Sequence, residues 1–241
     1  MRYLIVNADD LGLSPGVNAG IGQAHEHGIV TSASLMVRAP AAEGAAEYAR
    51  RHPALGVGLH VDLGEWAVRD GQWEAVYERV PPHDAGAVQA EALAQLERFR
   101  QLIGREPDHI DSHQHVHRRE PALTVLATLA HRLDVPLRGA GRIGFCGDFY
   151  GQTDVGEPLP GRVSVEALLV LLDRLPPGAT ELACHPGFVE DCDPLGGTIY
   201  RLARNAEVAV LCDSRVRARV AERGIVLATY AQAARAVGGE R

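Results

Sequence analysis

Aspartates and histidines recur along the chain at positions from which they could together hold a metal ion. Asp9 and Asp10 follow a short apolar run, His60 ends a second run, and His185 follows a third. A carboxylate with two imidazoles suits zinc, iron, cobalt, nickel or manganese and leaves coordination positions open for water and substrate. A metal bound in this way lowers the pKa of its water to about 7 and polarises a carbonyl oxygen. These residue types therefore predict hydrolysis of an amide or ester, with one side chain as the base and another as the acid.

The densest group of such residues is the segment 111–117, with the sequence DSHQHVH. On an extended strand His113, His115 and His117 would point to the same side, because side chains alternate along a strand. Three imidazoles on one face have few structural uses. The pattern therefore favours contact with a metal or a substrate over a purely structural role.

The other positions also have ordinary structural interpretations. Taken alone, the pair Asp9 and Asp10 is more typical of a helix N-cap than of an active site, because an aspartate before a helix satisfies free backbone N–H groups. The alternative is that both aspartates are catalytic. A tight turn would then have to direct both carboxylates into one pocket, where one would bind the metal and the other would accept a proton. His60 and His185 taken singly are more often structural histidines, and the functional alternative for His185 is a general acid.

Weaker signals lie elsewhere in the chain. Arg138 follows an apolar run and could pair with a substrate anion, with a catalytic carboxylate, or with a partner in an ordinary surface salt bridge. Trp66, Trp73 and Tyr77 could stack on a sugar ring, although half-buried anchors of a loop are the commoner role for such residues. The sequence alone leaves these choices open.

Hydrophobic periodicity predicts strands and helices in alternation. The predicted strands are 3–6, 31–37, 55–61, 109–112, 135–138, 181–184 and 225–229, and the predicted helices are 14–27, 41–51, 87–103, 121–133, 165–175 and 198–211. Residues 62–84 are predicted to form an insertion or lid loop, and residues 139–161 a second active-site loop. This order predicts an α/β fold with a parallel sheet, either open or closed into a barrel, in a single domain over residues 1–241. The polar residues would then converge, because the carboxyl ends of parallel strands share one face.

Composition excludes several classes of partner. A formal net charge of −7 argues against broad binding to nucleic acid or to an anionic membrane. The four cysteines form no CxxC pair, which argues against a zinc knuckle or a disulfide framework. The chain shows no secretory signal pattern and no apolar run of the ~20 residues that a membrane helix needs, so we expect a cytosolic protein. The sequence does not determine the oligomeric state, although a homodimer is the commonest association of soluble enzymes.

Four motifs of the chain resemble the successive motifs of the YdjC-like carbohydrate deacetylases, which are also called chitooligosaccharide deacetylases. They are residues 7–12 (NADDLG), 58–60 (GLH), 109–117 (HIDSHQHVH) and 184–187 (CHPG). The resemblance runs in order from residue 3 to the stretch with Tyr200, Arg204 and Glu207, and so covers nearly the whole chain. The histidine motif is long and specific.

The resemblance implies an irregular (β/α) barrel, glycoside hydrolase/deacetylase-like, that binds a divalent metal such as magnesium or zinc. It implies Asp10, His60 and His113 as metal ligands, Asp9 as the general base, and His185 as the general acid. The reaction implied is removal of the acetyl group from an N-acetylated sugar, with release of acetate and an amine. We further predict that His115, His117 and Arg138 contact the substrate.

Two departures from the family pattern and two competing hypotheses remain. Leu11 occupies a position where the family often has phenylalanine. Residues 62–84 do not match a chitooligosaccharide-type example, so the sequence does not identify the sugar substrate. A metal-dependent isomerase or another hydrolase on a similar barrel is one alternative, although an isomerase usually needs more carboxylates and a lysine or glutamate base. A non-catalytic protein that binds metal or sugar is the other, although such a module has little use for an adjacent base and acid.

Overall fold

A parallel sheet of seven strands forms the centre of the protein, in a computed structural model that describes residues 1–153, 155–159, 161–188 and 200–238. The strands in chain order are β1 (Arg2–Leu11), β2 (Ser32–Leu35), β3 (Gly56–Val61), β4 (Gly64–Arg69), β5 (Gln72–Glu78), β6 (Ile110–Ser112), β7 (Ile143–Cys146), β8 (Gly178–Cys184) and β9 (Ile225–Leu227). The order across the sheet is β6-β3-β2-β1-β8-β7, and β9 pairs with β1 beside β2. β4 and β5 form a separate antiparallel pair.

The sheet curls so that its two edges approach each other. Leu137 makes an isolated parallel bridge to Ile110 in β6, at one edge, and β7 at the other edge begins only six residues later at Ile143. A chain of six residues spans at most about 22 Å when fully extended. The two edges therefore face each other across an incomplete barrel.

Helices cover the sheet and explain why its strands are apolar. They are α1 (Pro15–Glu26), α2 (Ala42–Arg51), α3 (Ala85–Ile103), α4 (Ala122–Leu133), α5 (Val165–Asp173), α6 (Leu202–Leu211), α7 (Ser214–Glu222) and α8 (Tyr230–Gly238). In β1 every residue from Leu4 to Leu11 is buried, which is typical of a parallel strand that is covered on both faces. The predicted alternation and the parallel sheet are confirmed.

The start of α1 overturns the capping interpretation of the two aspartates. Ser14 is the N-cap, since its side chain accepts a hydrogen bond from the Val17 N–H, and Pro15 occupies the first turn. Asp9 and Asp10 lie instead within β1. Because Ser14 caps the helix, Asp9 and Asp10, which lie five and four residues before it, have no capping role.

Three other predicted segments differ from the structure, namely 62–84, 135–138 and 139–161. The predicted strand 135–138 is reduced to the isolated bridge at Leu137. Residues 62–84 are not an irregular loop, because β4 and β5 form a hairpin whose turn places Asp70 and Gly71 at φ 49° and 75°. An Asp-Gly pair with positive φ is the signature of a tight hairpin turn, so the signal was present in the sequence. The predicted loop 139–161 contains β7, and α7 has no counterpart among the predicted helices.

Among the described residues, no helix is both long and apolar enough to cross a membrane.

Candidate active site

The predicted site residues meet at the carboxyl ends of the strands. Asp9 and Asp10 lie near the end of β1, His60 lies in β3, and His185 directly follows β8. Arg138 follows the Leu137 bridge beside β6 and points into the same region, where it contacts Asp9. This end of a parallel barrel is where active sites of such folds form.

Asp10, His60 and His113 form one buried group of possible metal ligands. Their candidate donor atoms all lie within 4.8 Å of one another. The Asp10 Oδ1 atom lies 3.4 Å from His60 Nε2 and 3.2 Å from His113 Nδ1. Asp10 has a φ of 66°, a left-handed conformation that a short polar side chain tolerates better than most. This backbone turn lets two adjacent aspartates reach one pocket, although extended neighbours would point to opposite faces.

Each of the two imidazoles has a carboxylate at its other nitrogen. His60 Nδ1 lies 2.7 Å from Asp111 Oδ1, and His113 Nε2 lies 3.6 Å from Glu65 Oε2. The His60–Asp111 contact is the kind that orients a metal-binding histidine, because a carboxylate at the far ring nitrogen fixes the tautomer, whereas Glu65 faces His113 at a longer distance. Sequence reasoning missed Glu65, which the β4–β5 hairpin supplies.

The electrostatics of this group favour a cation. Burial alone would lower the pKa of His60, but Asp111 and Asp10 raise it to about 9. At His113 burial also lowers the pKa, but Asp10 and Glu65 outweigh it and raise the pKa well above its usual value. The pKa of Asp10 lies well below its usual value, because Arg204 and the two histidines outweigh the effect of burial. A divalent metal would replace protons at such imidazoles, so the donor set fits a metal site.

Arg138 is the centre of a second buried network. Its guanidinium forms two hydrogen bonds to Asp9, of 2.7 and 2.6 Å, and one of 2.8 Å to Glu181 Oε1. It also lies 2.7 Å from Asp111 Oδ2. Burial would raise the pKa of Asp9, but the charge and hydrogen bonds of Arg138 lower it, so Asp9 is ionised at neutral pH. Arg138 is therefore not in a surface salt bridge but pairs with carboxylates, and its contact with substrate stays a prediction.

His185 lies next to Asp9, which also contacts Arg138. Its Nε2 atom lies 3.7 Å from Asp9 Oδ2, and the rings of Tyr150 and Tyr200 flank it at centroid distances of 5.0 and 5.2 Å. Burial lowers the pKa of His185 to about 4, so its ring is neutral at pH 7. The arrangement places an ionised carboxylate and a neutral imidazole side by side.

Comparison with known proteins assigns this site to a family. The family model described as YdjC-like protein matches residues 3–222. The chain belongs to the YdjC-like family. A carbohydrate deacetylase from Geobacillus stearothermophilus is 38% identical, over 95% of this chain and 97% of that relative. A chitooligosaccharide deacetylase from Klebsiella pneumoniae strain 342 is 35% identical, over 95% of this chain and 98% of that relative.

Solved structures agree with the fold of this YdjC-like protein. A protein from Enterococcus faecalis V583, assigned as a candidate cellobiose-phosphate cleavage protein, has a TM-score of 0.74 at 30% identity and covers 95% of this chain and 97% of its own. A family 4 carbohydrate esterase from Streptomyces lividans, solved with acetate, has a TM-score of 0.52 at 12% identity, over 94% of this chain and 92% of that one. The second likeness shows the fold alone. The predicted irregular, deacetylase-like (β/α) barrel is confirmed.

The extended geometry predicted for His113, His115 and His117 is wrong. β6 ends at Ser112, and Gln114 and His115 adopt left-handed conformations with φ of 49° and 53°. The tight turn directs the His115 and His117 rings away from Asp10, so that of the three histidines only His113 contacts it. A local pattern of alternating histidines cannot show that the strand stops before it.

His115 and His117 lie beside the metal-ligand group rather than in it. His117 Nδ1 is 2.6 Å from Ser112 Oγ, and the His115 ring meets the Phe145 ring edge-on. Burial and the charge of Arg138 lower the pKa of His115 to about 3, and burial lowers that of His117 to about 4. Both rings are neutral at pH 7, and their contact with substrate stays a prediction.

Sequence reasoning also gave no role to two charged residues on α6. Arg204 NH2 lies 2.5 Å from Asp10 Oδ2. The Glu207 carboxylate accepts hydrogen bonds from the His185 backbone N–H and from the Tyr200 hydroxyl. A signal existed, since two opposite charges stand three residues apart in this helix, where their side chains lie on one face.

Replacing Arg138 with methionine (Arg138→Met) is expected to destabilise this protein by about 3–5 kcal/mol, because three buried carboxylates lose their shared cation. The measurement is the free energy of unfolding in urea. Arg118→Met is the matched control, since Arg118 packs on the same Phe145 ring at 4.5 Å but is exposed. We expect only a small decrease in the free energy of unfolding of the control. Equal decreases in both variants would contradict the prediction.

Proposed function

We propose that this protein is a metal-dependent carbohydrate deacetylase that hydrolyses the N-acetyl group of an amino sugar or oligosaccharide. The observation that carries the proposal is the buried group of Asp10, His60 and His113 beside Asp9, a carboxylate that Arg138 keeps ionised. The names of the relatives, a carbohydrate deacetylase and a chitooligosaccharide deacetylase, support it. The substrate class is therefore a small acetylated sugar.

The metal ligands in this proposal are Asp10, His60 and His113. A bound divalent metal would polarise the acetyl carbonyl and lower the pKa of water to about 7. Two imidazoles with one carboxylate favour zinc over magnesium, because magnesium prefers an all-oxygen ligand set. We therefore propose zinc as the first metal to test and magnesium as the second.

Asp9 and His185 divide the proton transfers between them. Asp9, held by Arg138, accepts the proton of the water that attacks the acetyl carbonyl carbon. The carbon–nitrogen bond then breaks, and the sugar nitrogen needs a proton to leave as an amine. His185 Nε2, which lies 3.7 Å from Asp9 Oδ2, is placed to pass that proton from Asp9 to the leaving nitrogen. The products are acetate and the free amino sugar.

The alternative functions fit the site less well. An isomerase on a similar barrel usually needs a lysine or glutamate base, and the sequence contains no lysine. Two further carboxylates of the site, Asp111 and Glu181, are both paired with Arg138. A non-catalytic binding protein has no use for an ionised base beside a neutral imidazole. A cytosolic location and a homodimer stay predictions.

The proposal is tested by measuring acetate release from N-acetylglucosamine and its short oligomers, with zinc or magnesium added to the purified protein. We expect acetate from at least one member of the panel, and the ranking of the members defines the preferred chain length. His60→Gln and His113→Gln are controls that we expect to release none. If the protein releases no acetate from any member although it binds metal, the proposed function is wrong.

The protonation state of His185 leads to a pH prediction. An ordinary histidine acid makes kcat/KM fall above about pH 6.5, where the ring loses its proton. The pKa of His185 lies at about 4, because burial and the charges of Arg204 and Arg138 outweigh Asp9 and Asp10. The ring is then neutral throughout the physiological range, and its proton comes from Asp9 during turnover.

We therefore expect kcat/KM to show no fall above about pH 6.5 that depends on His185, as for a site without an ordinary histidine acid. The measurement is a pH profile with the best substrate of the panel. The prediction is wrong if kcat/KM falls tenfold per pH unit above about 6.5 and this fall disappears in His185→Gln.

A further inference from the structure

We propose that Arg204 is a positioning residue that holds one oxygen of Asp10 away from the metal, so that Asp10 binds through its other oxygen alone. This inference rests on the proposed function for the presence of the metal. The two oxygens of Asp10 have different partners in the structure. Oδ1 faces His60 Nε2 at 3.4 Å and His113 Nδ1 at 3.2 Å, whereas Oδ2 lies 2.5 Å from Arg204 NH2.

The guanidinium of Arg204 is itself held in place. The side chain is 1% exposed, and its Nε donates a hydrogen bond of 2.9 Å to the Tyr200 carbonyl oxygen. Its NH1 group donates to the His185 carbonyl oxygen at 3.4 Å. A planar fork with fixed donors suits this task better than a lysine, whose single ammonium group on a flexible stem cannot hold three acceptors in a fixed geometry.

The loop after β8 leaves room for this side chain. A Cβ atom at Gly187 would lie 3.1 Å from Val17 Cγ2, 3.2 Å from Val17 Cα and 3.3 Å from Arg204 Cδ, so it would crowd both side chains. Gly187 also donates a backbone hydrogen bond to the Arg204 carbonyl oxygen at 3.3 Å. A substitution at Gly187 therefore crowds Arg204 without removing its charge.

The chemical consequence concerns the open coordination positions. A carboxylate that binds through both oxygens occupies two positions on the metal, and one that binds through a single oxygen leaves a position for water or substrate. The charge of Arg204 also offsets part of the negative charge of the Asp10 carboxylate. A bound metal would then be a stronger Lewis acid than it would be without Arg204. Arg204 would thus act on the reaction through Asp10 and without contact with the sugar.

The test compares Arg204→Met and Arg204→Lys with the wild-type full chain. Each protein is loaded with cobalt(II), whose visible absorption reports coordination number, and zinc affinity is measured by competition with a chromophoric chelator. We expect Arg204→Met to weaken the cobalt absorption, because Asp10 Oδ2 becomes free to bind and raises the coordination number. Loss of such a partner typically costs about 10–100-fold in metal affinity or activity, so we expect acetate release to fall by that factor.

Two further variants keep the proposal open to contradiction. We expect Arg204→Lys to retain the wild-type cobalt spectrum in part, and Gly187→Ala to shift it in the same direction as Arg204→Met. Arg217→Met, at an exposed arginine on α7, should change nothing. If Arg204→Met does not fold, Gly187→Ala and Arg204→Lys decide the question through the same spectrum.

The spectrum separates this proposal from the proposed function, because it needs no substrate. A folded Arg204→Met variant with wild-type cobalt absorption and wild-type zinc affinity overturns the role of Arg204. If the spectrum changes as expected but the wild-type protein releases no acetate, the positioning role stands and the deacetylase proposal fails.

Discussion

Replacing Asp9 with asparagine is expected to lower the rate of acetate release by about 10²–10⁴-fold, the range for loss of a general base. The carboxylate is buried, receives two hydrogen bonds from Arg138 and lies 3.7 Å from His185, and it is the proposed base. Asparagine has nearly the same shape and can still accept a hydrogen bond from Arg138, but it cannot take a proton from water. The measurement is kcat for the best sugar of the panel.

The metal content of the Asp9→Asn variant decides what a loss of activity means. We expect it to bind one metal per chain as the wild type does, because the proposed ligands Asp10, His60 and His113 are intact. Asp173→Asn is a control, since this aspartate pairs with Arg219 and Arg223 on the surface. If Asp9→Asn keeps full activity, Asp9 is not the base. If wild type and variant bind sugar equally and neither releases acetate, the non-catalytic hypothesis is favoured.

Removal of the metal is expected to stop acetate release altogether and to lower the unfolding temperature. A ligand that binds only the folded state at 100 times its Kd contributes about 2.7 kcal/mol to stability. For a protein of this size each kcal/mol corresponds to about 2–4 °C. We therefore expect added zinc to raise the unfolding temperature of the metal-free protein by about 5–10 °C, as measured by scanning calorimetry.

The same experiment identifies the ligands. In His60→Gln and in His113→Gln we expect the zinc-dependent shift to shrink, because each variant loses one imidazole donor. His131→Gln is the matched control, since His131 lies on α4, away from the metal-ligand group. A shift of wild-type size in both His60→Gln and His113→Gln would show that the metal binds elsewhere.

Local patterns in the sequence were sufficient for most of the elements. The periods of 2 and 3.6 residues predicted β1, β2, β3, β6 and β8 and the helices α1 to α6, and these strands carry the aspartates and histidines to the carboxyl ends of a parallel sheet. Short-range steric preferences determine such elements, so they can be recognised in a single chain. The hairpin of β4 and β5 has an equally local signal in Asp70-Gly71, a pair that favours a tight turn.

The tertiary structure alone decided how the side chains at that end are paired. Arg138 meets Asp9 across 129 residues of chain, and Arg204 meets Asp10 across 194. No local pattern reports such distances, because contacts between distant residues depend on the order and the curl of the strands. The turn at Gln114 and His115 likewise depends on its surroundings, since its backbone conformation is unfavourable for isolated residues of these types.

The sequence by itself therefore determined the class of fold and the types of residue at the candidate site, because periodicity and residue chemistry are local properties. Only the tertiary structure decided that Asp10 turns toward His60 and His113, that Glu65 stands behind His113, and that Arg204 takes the second oxygen of Asp10. The physical reason is that a buried charge must find its partner in three dimensions, wherever that partner lies along the chain.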